Sequence, residues 1–233
     1  MTITLTWLSH ASWLIQLDQH RVLLDPFFAD NPAAHVTAED FTDVSHVLVS
    51  HGHFDHVADV EAVARAAKAT IVTNFEISAW YGEKGFGEGD LPAPIGMNLG
   101  GRIELPFGEV QLVPALHSSG LPDGRYGGTA GGFILRAGGK TVYFACDTAF
   151  FSDMRFYAGG ADVAVLPIGD LFTMGVRDSV QATRLIEPKV VLPTHYDTWP
   201  PIQQDAEDWA KRVQAETSAK PVVLPVGGQF TID

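Results

Sequence analysis

Ser50-His51-Gly52-His53-Phe54-Asp55-His56 puts three histidines and one aspartate into six consecutive positions. It follows an apolar, β-like run, His46-Val47-Leu48-Val49, and precedes a helix-like run over residues 57–68. A strand that ends in a loop so dense in imidazole and carboxylate is a candidate metal site. Neutral imidazole suits zinc, iron, nickel and manganese-type ions, and a carboxylate adds the charge that holds them. The competing reading is a polar loop that carries histidines by chance. Crowded imidazoles need partners, however, and more residues of ligand type occur elsewhere in the chain.

Outward from this stretch, the pattern alternates strands and helices. Downstream, Thr70-Ile71-Val72-Thr73 reads as a strand, and Asn74 is an N-cap for a helix toward Trp80. Upstream, residues 2–8, 12–17 and 21–25 read as strands, with a hairpin turn at Asp18-Gln19-His20. Pro26 takes the chain out of the sheet. Residues 82–101, rich in Gly and Pro, read as a loop. Strands return at 102–105, 110–115, 132–136 and 141–145, the last two joined by the turn Ala137-Gly138-Gly139-Lys140. The final third alternates again: a strand at 161–167, a helix from Asp178 or Ser179 to about Ile186, a strand at 190–193, and a helix over 205–219. Residues 221–224 are expected to close the sheet. Two similar halves, each with strands inside and helices outside, predict an α/β (α+β) four-layer sandwich, with residues 1–233 as one domain.

A chain of 233 residues with 46% hydrophobic content can bury a large core. Its formal net charge of −13 repels phosphate backbones and anionic membranes, so the expectation is a small-molecule substrate, no nucleic acid and no membrane. There is room for a homo-oligomer. Cys146 is the only cysteine, so no intramolecular disulfide forms. The first seven residues alternate like a strand and lack the features of a signal peptide. No apolar run approaches the roughly 18–20 residues of a membrane span. These features predict a cytoplasmic protein.

Three further residues share the placement of the opening stretch. His117 follows the strand ending at Ala115, Asp147 the strand ending at Ala145, and His195 the strand ending at Pro193. In layered α/β folds, sites assemble at strand ends and in the loops beyond them.

With these residues in view, the sequence resembles the metallo-β-lactamase superfamily. His51-Gly52-His53-Phe54-Asp55-His56 matches its His-x-His-x-Asp-His signature, and Asp25, His117, Asp147 and His195 fall where its other motif residues stand. Trp7-Leu8-Ser9-His10-Ala11-Ser12, Asp25-Pro26-Phe27, His117-Ser118-Ser119, residues 169–175 and Pro193-Thr194-His195-Tyr196-Asp197-Thr198 are similar to one branch, the metal-dependent hydrolases allied to the ascorbate-6-phosphate lactonases. The resemblance implies a metallo-β-lactamase-like αβ/βα sandwich holding two divalent ions, zinc first, with manganese, iron or nickel as alternatives. It implies that His51, His53 and His117 hold one ion, that Asp55, His56 and His195 hold the other, and that Asp147 bridges them. It implies a metallohydrolase that directs a metal-bound hydroxide at a small ester, a lactone or a phosphorylated metabolite. Asp55 and His10 are the candidate catalytic residues.

Other roles stay open at this level. Asp25 is either an acceptor for a ligating histidine or a turn residue before proline. His10 either lines the pocket, donates a proton, or makes a structural hydrogen bond. Cys146 reads as a buried structural thiol, histidines 20, 35 and 46 as solvent- or loop-facing, and Arg125, Tyr126 and Thr173 as loop residues near the site. The alternatives on the same fold are a nuclease or phosphodiesterase, which the charge opposes, and a mononuclear iron thiol dioxygenase. Diiron oxygen-reducing relatives carry a glutamate where His53 stands, which opposes that chemistry.

Overall fold

A computed structural model describes residues 1–232. The first half runs β1 (Ile3–Trp7), β2 (Trp13–Leu17), β3 (His20–Leu24), β4 (His46–Leu48), α1 (Phe54–Val57), α2 (Val60–Ala67), β5 (Thr70–Asn74), α3 (Phe75–Glu83) and β6 (Ile95–Met97). The second runs β7 (Arg102–Leu105), β8 (Gly108–Pro114), β9 (Gly131–Ala137), β10 (Lys140–Phe144), α4 (Met154–Ala158), β11 (Val163–Pro167), α5 (Val176–Ile186), β12 (Val190–Thr194), α6 (Ala206–Glu216), β13 (Lys220–Pro221) and β14 (Gln229–Ile232).

Two seven-stranded sheets result, ordered β14-β1-β2-β3-β4-β5-β6 and β13-β12-β11-β10-β9-β8-β7. Each mixes antiparallel hairpins with a parallel run: β3 through β6 in one, β10 through β13 in the other. The alternating strands of the hairpins turn one face inward. Ile3, Leu5, Ile15 and Leu17 meet Leu112, Phe133, Leu135 and Val142 of the other sheet in one continuous apolar cluster. Helices cover the outer faces. On the first sheet, Val60, Val63 and Ala64 of α2 and Ile77 and Tyr81 of α3 pack over Val47, Val49 and Ile71. On the second, Val180 and Ile186 of α5 and Trp209 and Val213 of α6 join the main cluster. The layers are helix, sheet, sheet, helix, as the sequence pattern predicts. Burial of this kind stabilises by about 25 cal/mol per Å² of apolar surface removed from water.

Local chemistry fixes the punctuation. Asn74 accepts the Ile77 N–H at 2.9 Å and Asp205 the Asp208 N–H at 2.9 Å, each capping a helix. Gly138 and Gly139 both have positive φ (58° and 76°), which the two-residue β9–β10 hairpin requires. Three elements differ from the sequence pattern. The 82–101 segment contains β6, which pairs in parallel with β5. Of the expected closing strand, residues 221–224, only Pro221 pairs with β12, alongside Lys220 before it, and the chain then crosses to the other sheet. There β14 pairs with β1 in the register Ile3↔Ile232. The helix read as residues 57–68 is α2, Val60–Ala67, and a separate helical turn before it, α1, carries part of the site. Among the described residues, no helix is long and apolar enough to cross a membrane.

Candidate metal centre

The topology explains why distant residues meet. β1 and β3 both run antiparallel to β2, and β4 runs parallel to β3, so these three strands end on one edge. By the same pairing logic β8, β10, β11 and β12 end together. His10, Asp25 and the 51–56 stretch therefore leave the first sheet where His117, Asp147 and His195 leave the second. The two edges are joined at the His10 carbonyl, which accepts from His195 N–H (2.9 Å), Thr194 Oγ1–H (2.9 Å) and Trp7 Nε1–H (2.9 Å). His10, Asp25, Cys146 and His195 all have φ between 44° and 55°. Four non-glycine residues in the left-handed region just past strand ends mark a site held by its surroundings.

Three imidazoles form the first cluster. His51 Nε2 lies 3.0 Å from His53 Nδ1, which lies 3.2 Å from His117 Nε2. The network sets their tautomers. Ser50 Oγ donates to Asp25 Oδ2 at 2.5 Å and so accepts from His51 Nδ1–H at 2.9 Å, which leaves the His51 Nε2 lone pair facing inward. His53 Nε2 is paired with Ser118 Oγ at 3.1 Å, and its Nδ1 faces the same point as the other two imidazoles. Gly52 lets the 117–131 loop close onto the stretch, because a Cβ there would stand 3.1 Å from Leu121. Ser119 Oγ accepts the Gly52 N–H at 3.0 Å.

The second cluster is Asp55, His56 and His195. One helical turn, α1, aims Asp55 and His56 inward and Phe54 outward, with exposures of 8%, 0% and 52%. His56 Nδ1–H donates to Asp25 Oδ2 at 2.8 Å, so its Nε2 faces the cluster, 3.7 Å from Asp55 Oδ2. Asp25 is thus a histidine acceptor. It fixes His56 directly and His51 through Ser50, and Ser50 N–H holds its other oxygen at 2.8 Å. Asp147 lies between the clusters. Its Oδ2 is 3.0 Å from His195 Nε2, 3.4 Å from His56 Nε2, 3.6 Å from His117 Nε2 and 4.0 Å from His51 Nε2.

The buried polar atoms test whether these residues fit a metal. Among the described residues, the buried side-chain atoms without a hydrogen-bond partner are His56 Nε2, Asp147 Oδ1 and both nitrogens of His195. Native proteins pair such atoms, and all four are in this site. The groups whose donor atoms converge closely enough to hold an ion include His51, His53 and His117, and Asp55, His56 and His195 with His10. The electrostatics agree. Burial opposes charge on His195, but the facing Asp147 carboxylate outweighs it and lifts the imidazole to about 9. Burial likewise opposes charge on His56, and Asp147, Asp55 and Asp25 raise it well above the usual imidazole range. The carboxylates create a field that demands positive charge, and a divalent ion supplies it while releasing protons. The donor set, all nitrogen and oxygen with no thiolate, fits such ions.

His10 is placed differently from a pocket-lining proton donor. It is fully buried behind Asp55, and both ring nitrogens are occupied: Nε2–H donates to Asp55 Oδ2 at 3.0 Å, and Nδ1 accepts from Thr198 Oγ1–H at 2.8 Å. Burial, together with the neighbouring His195, lowers it to about 3, so it is neutral. Cys146 is buried, its thiol pushed well above the usual range by burial and by Asp25 and Asp147, as expected for a structural residue. Histidine 46, expected to face solvent or a loop, is instead buried, edge-on to Phe107 with ring centroids 5.1 Å apart.

The clusters open on a cavity of about 430 Å³, in which Phe54, Pro122, Phe172 and Trp199 stand beside His53, Asp55, His117, Asp147 and His195. Phe172, not Thr173, reaches it. Arg125 is tied to Glu83 at 2.6 Å and Asp123 at 3.0 Å in the adjacent groove. Ser50, Phe54, Phe172 and Thr198 sit inside the motif stretches with no role assigned from sequence, Ser50 directly before the first histidine; Pro122 and Trp199 carry no sequence signal.

The beta-lactamase superfamily domain matches residues 20–196. A UPF0173 metal-dependent hydrolase from Methylacidiphilum infernorum is 41% identical over 209 residues, covering 89% of this chain and 90% of its own length. Another, from Pyrococcus abyssi, is 41% identical over 234 residues, covering 99% and 100%. The chain belongs to the UPF0173 metal-dependent hydrolase family of the β-lactamase superfamily. Among solved structures of the superfamily's fold, the metallo hydrolase Igni18 from Ignicoccus hospitalis matches with a TM-score of 0.89 and 32% identity, covering 100% of this chain and 99% of its own. The metallo-β-lactamase fold protein YhfI from Bacillus subtilis matches with a TM-score of 0.76 at 14% identity over 99% of both chains, a likeness of fold alone.

Proposed function

We propose that this UPF0173 hydrolase holds two divalent ions and hydrolyses a small-molecule ester, lactone or phosphorylated metabolite rather than a nucleic acid. One ion would be held by His51, His53 and His117, the other by Asp55, His56 and His195, with Asp147 shared; zinc is the first choice of metal. The observation that carries this reading is Asp147 Oδ2 standing within 4.0 Å of imidazole nitrogens from both clusters. Ions so held supply a nucleophile that ionises near neutral pH and positive charge for the developing oxyanion.

The chain's own residues prepare the site. Asp25 and Ser50 keep His51 and His56 in the tautomers that direct Nε2 inward. Burial works against ionisation of Asp55, but His56 and His10 outweigh it and hold the carboxyl far below its usual range. Asp55 therefore stays an acceptor at the edge of the cavity. His10, locked between Asp55 and Thr198, is a positioning residue for that carboxylate.

The test is metal content with activity. The purified protein should hold two ions per chain, lose hydrolysis of ester probes in a chelator and regain it with added zinc or manganese. An apoprotein as active as the metal-loaded form sinks the reading. One iron per chain with oxygen uptake on a persulfide would point instead to a thiol dioxygenase.

A further inference from the structure

The cavity over the two clusters has apolar sides of a particular kind. Phe54 and Phe172 are large aromatics left 52% and 54% exposed, and both line it. Exposed aromatics gathered at one mouth mark a recognition surface. One side is packed in place and another rides on a pinned loop. Trp199 packs on Phe54 (centroids 5.9 Å), on fully buried Phe27 (5.8 Å) and edge-on to His10 (5.0 Å). Phe172 stands on a loop pinned at its base by the Gly169↔Gly175 bridge and by Thr173 N–H to the Asp170 carbonyl at 2.7 Å. Gly169 is required there, since a Cβ would stand 2.3 Å from the His195 carbonyl oxygen. Side chains already held in place lose little freedom when a ligand packs on them.

Among the described residues, no lysine or arginine lines this cavity. The cations of the adjoining grooves are engaged: Arg125 pairs with Glu83 and Asp123, and Lys84, in the groove that also borders Phe54, pairs with Glu61. Ser118 is a neutral hydroxyl on the wall, already engaged with His53. Only the reacting group can meet positive charge, and it meets it at the ions. A carboxylate or phosphate on the rest of the substrate would sit against aromatic faces in a protein of net charge −13.

Resting on the hydrolytic reading, we infer that the non-reacting part of the substrate is uncharged and apolar, an alkyl or aryl group of a few carbons held between Phe54, Phe172 and Trp199. For an ester, the acyl C–O bond breaks, the oxygen of water joins the acyl carbon, and the products are a carboxylic acid and an alcohol that takes the remaining proton. Phosphorylated and polyanionic metabolites fall outside this class.

The metal-loaded protein tests the inference with two probes of equal length and the same leaving group, p-nitrophenyl butanoate and p-nitrophenyl hydrogen succinate. They differ only by a remote carboxylate. Butanoate should be favoured at least tenfold in kcat/KM, and it should exceed p-nitrophenyl acetate by about fifteenfold, at roughly fourfold for each of two buried methylenes. Trp199→Ala should bring the acetate-to-butanoate ratio close to one. Phe172→Arg, at a half-exposed position that tolerates the change, should shrink the preference over succinate. Equal or better hydrolysis of the succinate overturns the inference and leaves the hydrolase reading standing. If neither ester turns over, esters drop out of the proposed substrate class and binding decides the rest. Calorimetric titration should then show N-phenylbutanamide bound more tightly than N-phenylsuccinamic acid, and the reverse order refutes an apolar site.

Discussion

Replacing Asp25 by asparagine tests how one carboxylate controls both clusters. The Asp25 carboxylate makes three contacts: Oδ1 with Ser50 N–H at 2.8 Å, and Oδ2 with Ser50 Oγ–H at 2.5 Å and His56 Nδ1–H at 2.8 Å. Asparagine accepts a left-handed backbone readily, so the φ of 44° does not forbid it. Its oxygen can keep the Ser50 N–H, but its NH₂ then faces two donors. His56 escapes by moving its proton to Nε2, where it points into the site and removes a ligand lone pair. Ser50, without its acceptor, can turn its hydrogen on His51 Nδ1 and force the same shift there. Losing a partner that orients a metal-bound histidine weakens metal binding by about 10–100-fold, or roughly 1.4–2.8 kcal/mol. That matches one lost charge-assisted hydrogen bond of about 1.5–3 kcal/mol. Competition against a chromophoric chelator at pH 7.5 measures it, with circular dichroism to confirm the fold. Ser50→Ala is the matched control. It keeps the Asp25–His56 contact, so only the ion held by His51 should weaken. Asp25→Asn protein that retains both ions within twofold of the parental affinity would refute the tautomer argument.

Other perturbations separate the remaining roles. Asp147→Ala should lower metal content from the proposed two ions per chain to below one, whereas His117→Ala should leave about one; two ions retained in Asp147→Ala protein would show that this carboxylate is not shared. His10→Phe should reduce kcat on an ester probe by about 10–100-fold with KM little changed and the first ion retained, because Asp55 loses its Nε2–H partner; an unchanged kcat would assign His10 to stability alone. His46, lowered to about 4 chiefly by burial and then by nearby His20, gives a pH test. Its folded-state value lies below the unfolded value of about 6.5, so its contribution is complete above that pH and fades as pH falls from about 6.5 to about 4. Between pH 7.5 and 5, urea denaturation should therefore show a smaller stability loss for His46→Gln than for the parent, by about 1 kcal/mol after solvent screening; equal losses would show that His46 titrates normally.

The sequence by itself determined the layered architecture and the donor set. Hydrophobic alternation in strands such as β1 and β2, the caps Asn74 and Asp205, and the Gly138-Gly139 turn are local features whose physics acts over a few residues. The His51–His56 stretch identifies itself for the same reason, and His117, Asp147 and His195 show by their placement after apolar runs. Only the tertiary structure decided what long-range pairing controls. β6 is a three-residue strand in a Gly- and Pro-rich segment, with no periodicity to display, and exists because β5 offers it an edge. β14 is defined by β1, more than 220 residues away in sequence. Residues 222–224 have strand-like composition but do not pair as a strand. Asp25 became a histidine acceptor, and His10 a support for Asp55, only when β1, β3, β4 and β12 were seen to end on neighbouring edges. Phe54, Phe172 and Trp199 look like ordinary core aromatics in sequence. That they stand around the ligand cluster in a cavity where, among the described residues, no lysine or arginine is part of the lining depends on which faces their loops present, and no local propensity fixes that.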